Sequence, residues 1–301
     1  MPGGNMPRFR TARAQAEHAI ASKVALGKGR HEHQYDGRIH SVGTARGYEQ
    51  ALKGFTKYLQ EQRHGDLQNA TMENAHQYLT VRATIVSQKT LDMDRQAIQM
   101  HLGIKIEVIK SENKTVLSTR SYTLAQVERI ASAQSEHNGL STQIAYHAGL
   151  RSHELLTLQP ADNRHASTHR EWSENRFMGR TGEHYTVAGK GGLIREVLLP
   201  HSLSSILEGK RLASPRSVSD RGVNYLQHYD ISGGQKWSQS FSAASKRELG
   251  FSNGAHGLRH SYAQDRMREL QEHGMAYDDA KRTVAQEVGH FDKNTTEAYL
   301  R

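Results

Sequence analysis

The 301-residue sequence predicts a mainly α fold with a small β-sheet, divided into two domains. Three observations lead there. Apolar residues recur at helical spacing through the N-terminal third, and two short apolar runs flank a Gly-rich turn near residue 190. Charge is also uneven: residues 1–120 hold 18 basic and 11 acidic residues, against 22 and 20 in the remaining 181. An N-terminal part with most of the positive excess fits a grip for a polyanion beside a more balanced body.

The elements follow in order. Residues 11–26 are rich in alanine and other helix formers and end before Gly27 and Gly29. A polar, His-rich loop runs from Lys28 to His40. Thr44 is placed to cap a helix through Gln62, with Tyr48, Leu52, Phe55 and Leu59 along one side. Thr71 caps the next, which carries Ala75, Tyr78, Leu79 and Arg82, and a further helix covers Gln88–Leu102. Short connections make these a small bundle. The polar stretch Ile104–Thr119 reads as an interdomain linker. Thr123 and Gln126 form a capping box for a helix through Gln134. Helices over Thr142–Gly149 and Ser152–Leu158 follow, then two strands within 184–199 around Gly189–Gly192, and a mostly helical remainder.

Composition narrows the chemistry. The formal charge of +9 favours a polyanionic partner. Cysteine is absent, which excludes disulfides, thiolate zinc sites and cysteine nucleophiles. No apolar run approaches the ~18 residues of a membrane span, and the basic start, Met1–Arg13, lacks the apolar segment of a secretory signal. An intracellular protein without a membrane partner fits best. His31, His33 and His40 have no regular ligand spacing and are expected to be a solvated loop, so no metal site is assigned.

Four C-terminal segments carry chemistry. In HAGLRSHELLTL, Arg151 opens a helix and Glu154 stands one turn on, able to aim its guanidinium at two phosphate oxygens. In AGKGGLIREVLLP, Lys190 sits at a hairpin tip, where it can protonate a leaving oxygen; the glycines lack the spacing of a phosphate loop. In HGLRHSY, His256 and Arg259 lie three apart and face the same way, whereas His260 is expected to point elsewhere. In EVGHFDKNTTEAYLR, His290 follows a glycine and Tyr299 lies nine residues further on a short helix. Each segment alone has an ordinary explanation: a solvated ion pair, a turn lysine, a polar helix face, a packed tyrosine. No carboxylate cluster accompanies them, which argues against a two-metal nuclease.

Taken together and in this order, the segments resemble the tyrosine recombinase (phage integrase) family. Its Gly-Leu-Arg-x-x-Glu-Leu motif stands as Gly149–Leu155, its His-x-Leu-Arg-His motif as His256–His260, and its Leu-Gly-His as Val288–His290. The resemblance spans residues 122–301 through these motifs and 42–110 more loosely. It implies a helical, SAM-like core-DNA-binding domain over 41–110, a linker over 111–121 and a catalytic domain over 122–301, with a basic helix and loop over 1–40. It further implies that Arg151 and Arg259 clamp the scissile phosphate and that Lys190 protonates the leaving 5′-oxygen. His256 would exchange the tyrosine proton, His290 would hydrogen-bond the phosphate, and Tyr299 would be the nucleophile. Glu154 would orient Arg151. The bond energy is conserved in a 3′-phosphotyrosyl link, so no cofactor, neither ATP nor metal, is expected.

The implied partners are double-stranded DNA recombination sites and three further copies of the chain, which is otherwise a monomer or weak oligomer, with an accessory DNA-bending or directionality factor. The implied location is the prokaryotic cytoplasm, at the nucleoid. Arg46, Lys53 and Lys57 are candidate DNA contacts. The sequence departs from the family pattern in having only Leu300 and Arg301 after the nucleophile, and a longer stretch between Arg259 and His290. No strand-rich arm-binding domain is expected before residue 40. Integration of a prophage or integrative element is the role expected first, Xer-like chromosome or plasmid dimer resolution second. A topoisomerase-like relative and a DNA-binding protein with a relic active site are the remaining readings. Tyr262 and Tyr277, the other tyrosines nearby, do not stand at the required distance after Gly-His.

Overall fold

The computed structural model describes residues 11–26, 36–114, 119–291 and 296–300, with the side chain of Lys190 also outside the described set. The chain divides into two compact units, residues 1–116 and 117–301.

The first unit is helical. Its helices are α1 (Ala12–Ala21), α2 (Val42–Glu61), α3 (Met72–Ala83) and α4 (Gln88–Leu102). The local signals are visible at their ends. The Thr11 hydroxyl accepts from the Ala14 amide, and Thr71 and Asn74 satisfy each other's backbone amides in a capping box. Gly103 closes α4 in the left-handed conformation. Leu52, Phe55 and Leu59 of α2 are fully buried against Ala16 and Ile20 of α1, Leu79 of α3 and Ile98 of α4. Helix α1 thus belongs to this core. Ile106 is also buried there, its amide donating to Gln99 Oε1 at 3.1 Å. The stretch expected as a linker is therefore strapped along the bundle as far as Asn113, which bridges to Ser87; residues 115–118 lie outside the described set.

The second unit begins with α5 (Leu124–Ser132), started by the expected Thr123/Gln126 capping box, and α6 (Glu136–His147). Helix α6 starts six residues before the expected Thr142. Gly139 reads as a breaker in sequence, but a Cβ there would meet the Ala131 carbonyl oxygen at 2.6 Å, so its absence is what lets α5 and α6 pack. The helix expected over Ser152–Leu158 is only a 3-10 turn, Glu154–Thr157. A three-stranded antiparallel sheet follows, in the order β1 (Gln159–Pro160), β2 (Glu183–Ala188), β3 (Ile194–Leu199). Its central hairpin is the one the sequence signalled, with Ala188 paired to Ile194 around the Lys190 turn.

After α7 (His201–Glu208) comes an antiparallel hairpin that the sequence did not reveal, β4 (Arg211–Asp220) and β5 (Val223–Tyr229). Both faces are largely solvated, so no apolar alternation marks it, and its turn holds Arg221 at φ 51°, where asparagine or glycine is usual. Helices α8 (Gly234–Leu249), α9 (Gly257–Glu272) and α10 (Tyr277–Glu287) complete the unit. Trp237 and Phe241 of α8 anchor the main core with Leu155, Leu158, Val187 and Leu258. A smaller core joins Ala263, Met267 and Leu270 of α9, Ala280 and Val284 of α10, and Tyr299. Among the described residues no helix is long and apolar enough to cross a membrane.

Candidate active site

The Gly149–Glu154 segment is built backbone first. Gly149 adopts φ 59°, and a Cβ would meet the Tyr262 ring at 2.7 Å, so only glycine fits. Its carbonyl, thereby turned inward, accepts from Arg259 Nη1 at 2.7 Å and from Arg195 Nη2 at 3.3 Å. Arg151 follows in the loop before the 3-10 turn. Its amide donates to Glu154 Oε2 at 2.8 Å and its Nη1 to Glu154 Oε1 at 2.7 Å.

Glu154 is fully buried and serves three cations. Besides Arg151 it accepts from Arg195 Nη2 at 2.8 Å, and Arg259 Nη1 lies 3.8 Å away. Burial alone would raise its pKa, but Arg195, Arg151 and Arg259 outweigh that and hold it far below the carboxylate range. Three guanidinium charges against one carboxylate leave a surplus of two positive charges at neutral pH. Arg259 stays a cation even though burial and the neighbouring Arg151 pull its pKa down to about 9. Its Nη2 also donates to the Val288 carbonyl oxygen.

The expected site residues converge here. His256 is the N-cap of α9 and Arg259 lies in its first turn. Arg151 Nη2 is 3.0 Å from His290 Nε2. Tyr299, 7 % exposed, follows a helical turn in which its amide donates to the Thr296 carbonyl oxygen at 2.8 Å. Its ring lies 5.5 Å from that of His256 and 5.4 Å from that of His290, with the Arg259 guanidinium 5.6 Å from its centre. Burial, with the adjacent arginines, pushes His256 and His290 down to about 3, so both rings are neutral at physiological pH. An arginine donating to His290 Nε2 puts that ring's proton on Nδ1, a buried atom with no partner among the described residues.

Three expectations need correction or completion. His260 does not point elsewhere: its ring is 4.7 Å from Tyr299 and 5.6 Å from His256. Residues four apart on a helix are only about 40° from each other, closer in angle than residues three apart. Arg151 stands in a loop rather than at an α-helix start. Arg195, the buried partner of Glu154, escaped notice; its only signal is a charge inside an otherwise apolar strand, IREVLL.

The remaining residues fall elsewhere. Lys190 occupies the β2–β3 turn by its backbone, while its side chain lies outside the described set. Arg46, Lys53 and Lys57 sit at i, i+7 and i+11 on α2 and share one side of it; Arg46 and Lys57 are exposed. His40 contacts Asp36 at 2.9 Å and the Ala25 carbonyl oxygen at 2.7 Å; His31 and His33 are outside the described residues. Among the described residues no cluster of three or more metal-ligating side chains occurs. Tyr262 donates to Glu287, and Tyr277 is half exposed beside Lys281.

A helical bundle joined to an α-rich unit with this small sheet is the tyrosine recombinase fold. Among solved structures, the chain is similar to the XerH site-specific recombinase bound to a palindromic difH substrate in a post-cleavage complex. The TM-score is 0.56 at 17% identity, over 96% of this chain and 90% of that one. It is also similar to a lambda integrase tetramer bound to a Holliday junction, with a TM-score of 0.53 at 14% identity over 99% and 78% of the two chains. At such identity the likeness establishes the fold. No protein-family model and no curated protein matches the sequence.

Proposed function

We propose that this chain is a tyrosine site-specific recombinase that cleaves and rejoins DNA through a covalent link to Tyr299. The observation that carries the reading is the surrounding of that one tyrosine: a buried ring touching His256, His260 and His290 under the Arg259 guanidinium. A nucleophilic phenol needs positive charge and a proton acceptor nearby, and this pocket supplies both.

In the reaction proposed, Tyr299 Oη attacks the phosphorus of a phosphodiester and the bond to the 5′-oxygen breaks. His256, neutral and close, takes the phenol proton, and Lys190 gives a proton to the departing 5′-oxygen. The pentacovalent intermediate formed from a phosphodiester anion and a phenolate carries two negative charges, which matches the surplus around Glu154. A phosphate oxygen replaces His290 as acceptor for Arg151 Nη2, and Glu154 with Arg195 behind it keeps the arginines aimed. A 5′-hydroxyl from a partner duplex reverses the step, exchanging strands through a Holliday junction. The chemistry calls for neither ATP nor metal, and four protomers on two DNA sites would carry it out, with α2 as part of the DNA grip.

The test is to express the wild type and Tyr299→Phe in a bacterial host, recover DNA that stays protein-linked under denaturing conditions, and sequence it. Adducts in the wild type alone are expected. Adducts in both move the nucleophile to another residue and overturn the assignment. The recovered sequences also sort the roles: a junction of mobile element and host gives integration, our first assignment, and a site repeated in multimers of one replicon gives dimer resolution.

A further inference from the structure

Between β1 and β2 runs an irregular loop, residues 161–182, well beyond the ~12–15 residues above which unstructured loops in compact units are uncommon and usually functional. It is pinned rather than loose. The Ser167 amide donates to the Ile194 carbonyl oxygen at 3.0 Å, and the Ile194 amide to Ser167 Oγ at 3.0 Å. The Ser173 amide donates to Gln286 Oε1 at 2.6 Å and the Phe177 amide to Glu287 Oε1 at 2.8 Å. These anchors tie it to the start of β3, next to the Lys190 turn, and to the end of α10, just before His290.

Held there, the loop and Phe291 form a row of two rings between two cations. Arg176 lies 4.7 Å from the centre of the Trp172 ring, Trp172 packs edge-on to Phe291 at 5.1 Å, and Arg170 lies 4.8 Å from the Phe291 ring centre. The outer end is open: Phe291 is 38% exposed, Arg170 is exposed, and Arg170 has no ion pair among the described residues. Phe291 follows His290 directly in the chain. An exposed ring beside a guanidinium that has no ion pair among the described residues is the composition that stacks nucleobases without regard to sequence.

We propose that Trp172, Phe291 and Arg170 form a stacking surface for an unpaired DNA base next to the reacting phosphate. The inference rests on the recombinase reading for its substrate. Once a strand is cut, the end bearing the 5′-hydroxyl must unpair before it can join another duplex, and the bases beside the cut lose their stacking partners. A surface that replaces those partners holds the free strand near the site. Duplex DNA, whose bases are already stacked, would gain only the Arg170 contact.

The experiment compares binding of a short oligothymidylate and of a duplex of equal length by the full chain, with no cleavage required. Phe291→Ala and Trp172→Ala are expected to weaken oligothymidylate binding by about ten-fold while duplex binding stays within about two-fold. Trp237 is buried at 1% exposure, so Trp172 is the tryptophan a bound base can reach. Oligothymidylate should quench tryptophan emission in the wild type and not in Trp172→Phe. Equal losses on both probes would reduce the surface to a phosphate contact, and no loss on either would overturn it outright. Phe291→Leu, which keeps apolar bulk without the ring, guards against a folding artefact: full binding in that variant also overturns the proposal. A chain that stacks oligothymidylate yet forms no adduct would sink the recombinase reading while leaving this surface intact.

Discussion

Glu154 and Glu287 are both carboxylates at most 1% exposed in the second unit, each surrounded by arginine, yet their surroundings are finished to different degrees. Glu287 accepts from Arg266 Nε and Nη2 at 2.9 and 3.0 Å, from the Tyr262 hydroxyl at 2.8 Å and from the Phe177 amide at 2.8 Å. The last Arg266 nitrogen goes to Glu269 at 2.5 Å, and Glu269 is shared with Arg180. Every donor has an acceptor. Around Glu154, by contrast, Nε of Arg195, Nε of Arg259, and Nδ1 of His260 and of His290 are buried without partners among the described residues. A closed network is a brace, since buried polar groups are normally paired. An open one carrying surplus positive charge suits the anion of the proposed reaction.

That contrast can be broken from either side. The largest effect is expected at the brace. Glu287→Gln removes the fully buried one of Arg266's two counter-charges, leaving only the partly exposed Glu269, and should cost about 3–5 kcal/mol of unfolding free energy, read by denaturant melts of the full chain. A loss under about 1 kcal/mol, the worth of a surface pair, would show that the cluster does not hold the unit together. Next comes the open site. Arg259→Lys keeps a charge but loses the fork, and should slow adduct formation by about 10²–10³-fold in a single-turnover assay on the site recovered from cells. A variant that cleaves at the wild-type rate would remove Arg259 from the chemistry.

Acid should sharpen the comparison further. Unfolded, His256 and His290 take up protons near pH 6.5; folded, they resist until about 3. The unfolded state therefore binds more protons across that window, and stability falls as pH drops from 6.5. Glu154 adds its own loss only lower down: the stabilisation from its depressed pKa is present above its ordinary value and disappears as pH falls towards the folded one. Between pH 7 and 5 the thermal midpoint should decline by an amount equivalent to about 1 kcal/mol for half-buried His290 and by less for the more exposed His256. His256→Asn with His290→Asn should flatten the decline. An equally steep decline in that double variant would place the acid sensitivity outside the site.

How far the sequence disclosed this follows from what each feature depends on. Helix ends were readable where the cap is local, as at Thr71 and at Thr123 with Gln126, but not at α2, whose N-cap is Ser41 so that the expected cap Thr44 lies inside the helix. The strands around residue 190 showed as short apolar runs flanking a Gly-rich turn, because neighbouring residues on both faces are buried, Tyr185 to Val187 and Val197 to Leu199. The β4–β5 hairpin, solvated on both faces, has no such pattern to show. Arg151, His256, Arg259, His290 and Tyr299 were found through motif order, and only the fold brings residues up to 148 positions apart into one pocket. Arg195 and His260 were missed for different reasons. His260 was legible from helix geometry, four residues from His256, but Arg195 acts through a carboxylate distant in sequence, and a buried charge on a strand looks like any other charge until that carboxylate is in place.

The smallest effect concerns the first unit, where charge is arranged for reach rather than for chemistry. Arg46, Lys53 and Lys57 share one side of α2, so their positive charges add along a line. Replacing any pair with glutamine should lower the slope of log affinity against log salt by about 1 per lost phosphate contact, measured on duplex DNA, and leave the adduct rate at saturating DNA unchanged. A drop in that rate would mean α2 shapes the site and not only the encounter. An unchanged salt slope would move the grip to another face of the bundle, and the charge excess of residues 1–120 would then need a different partner surface.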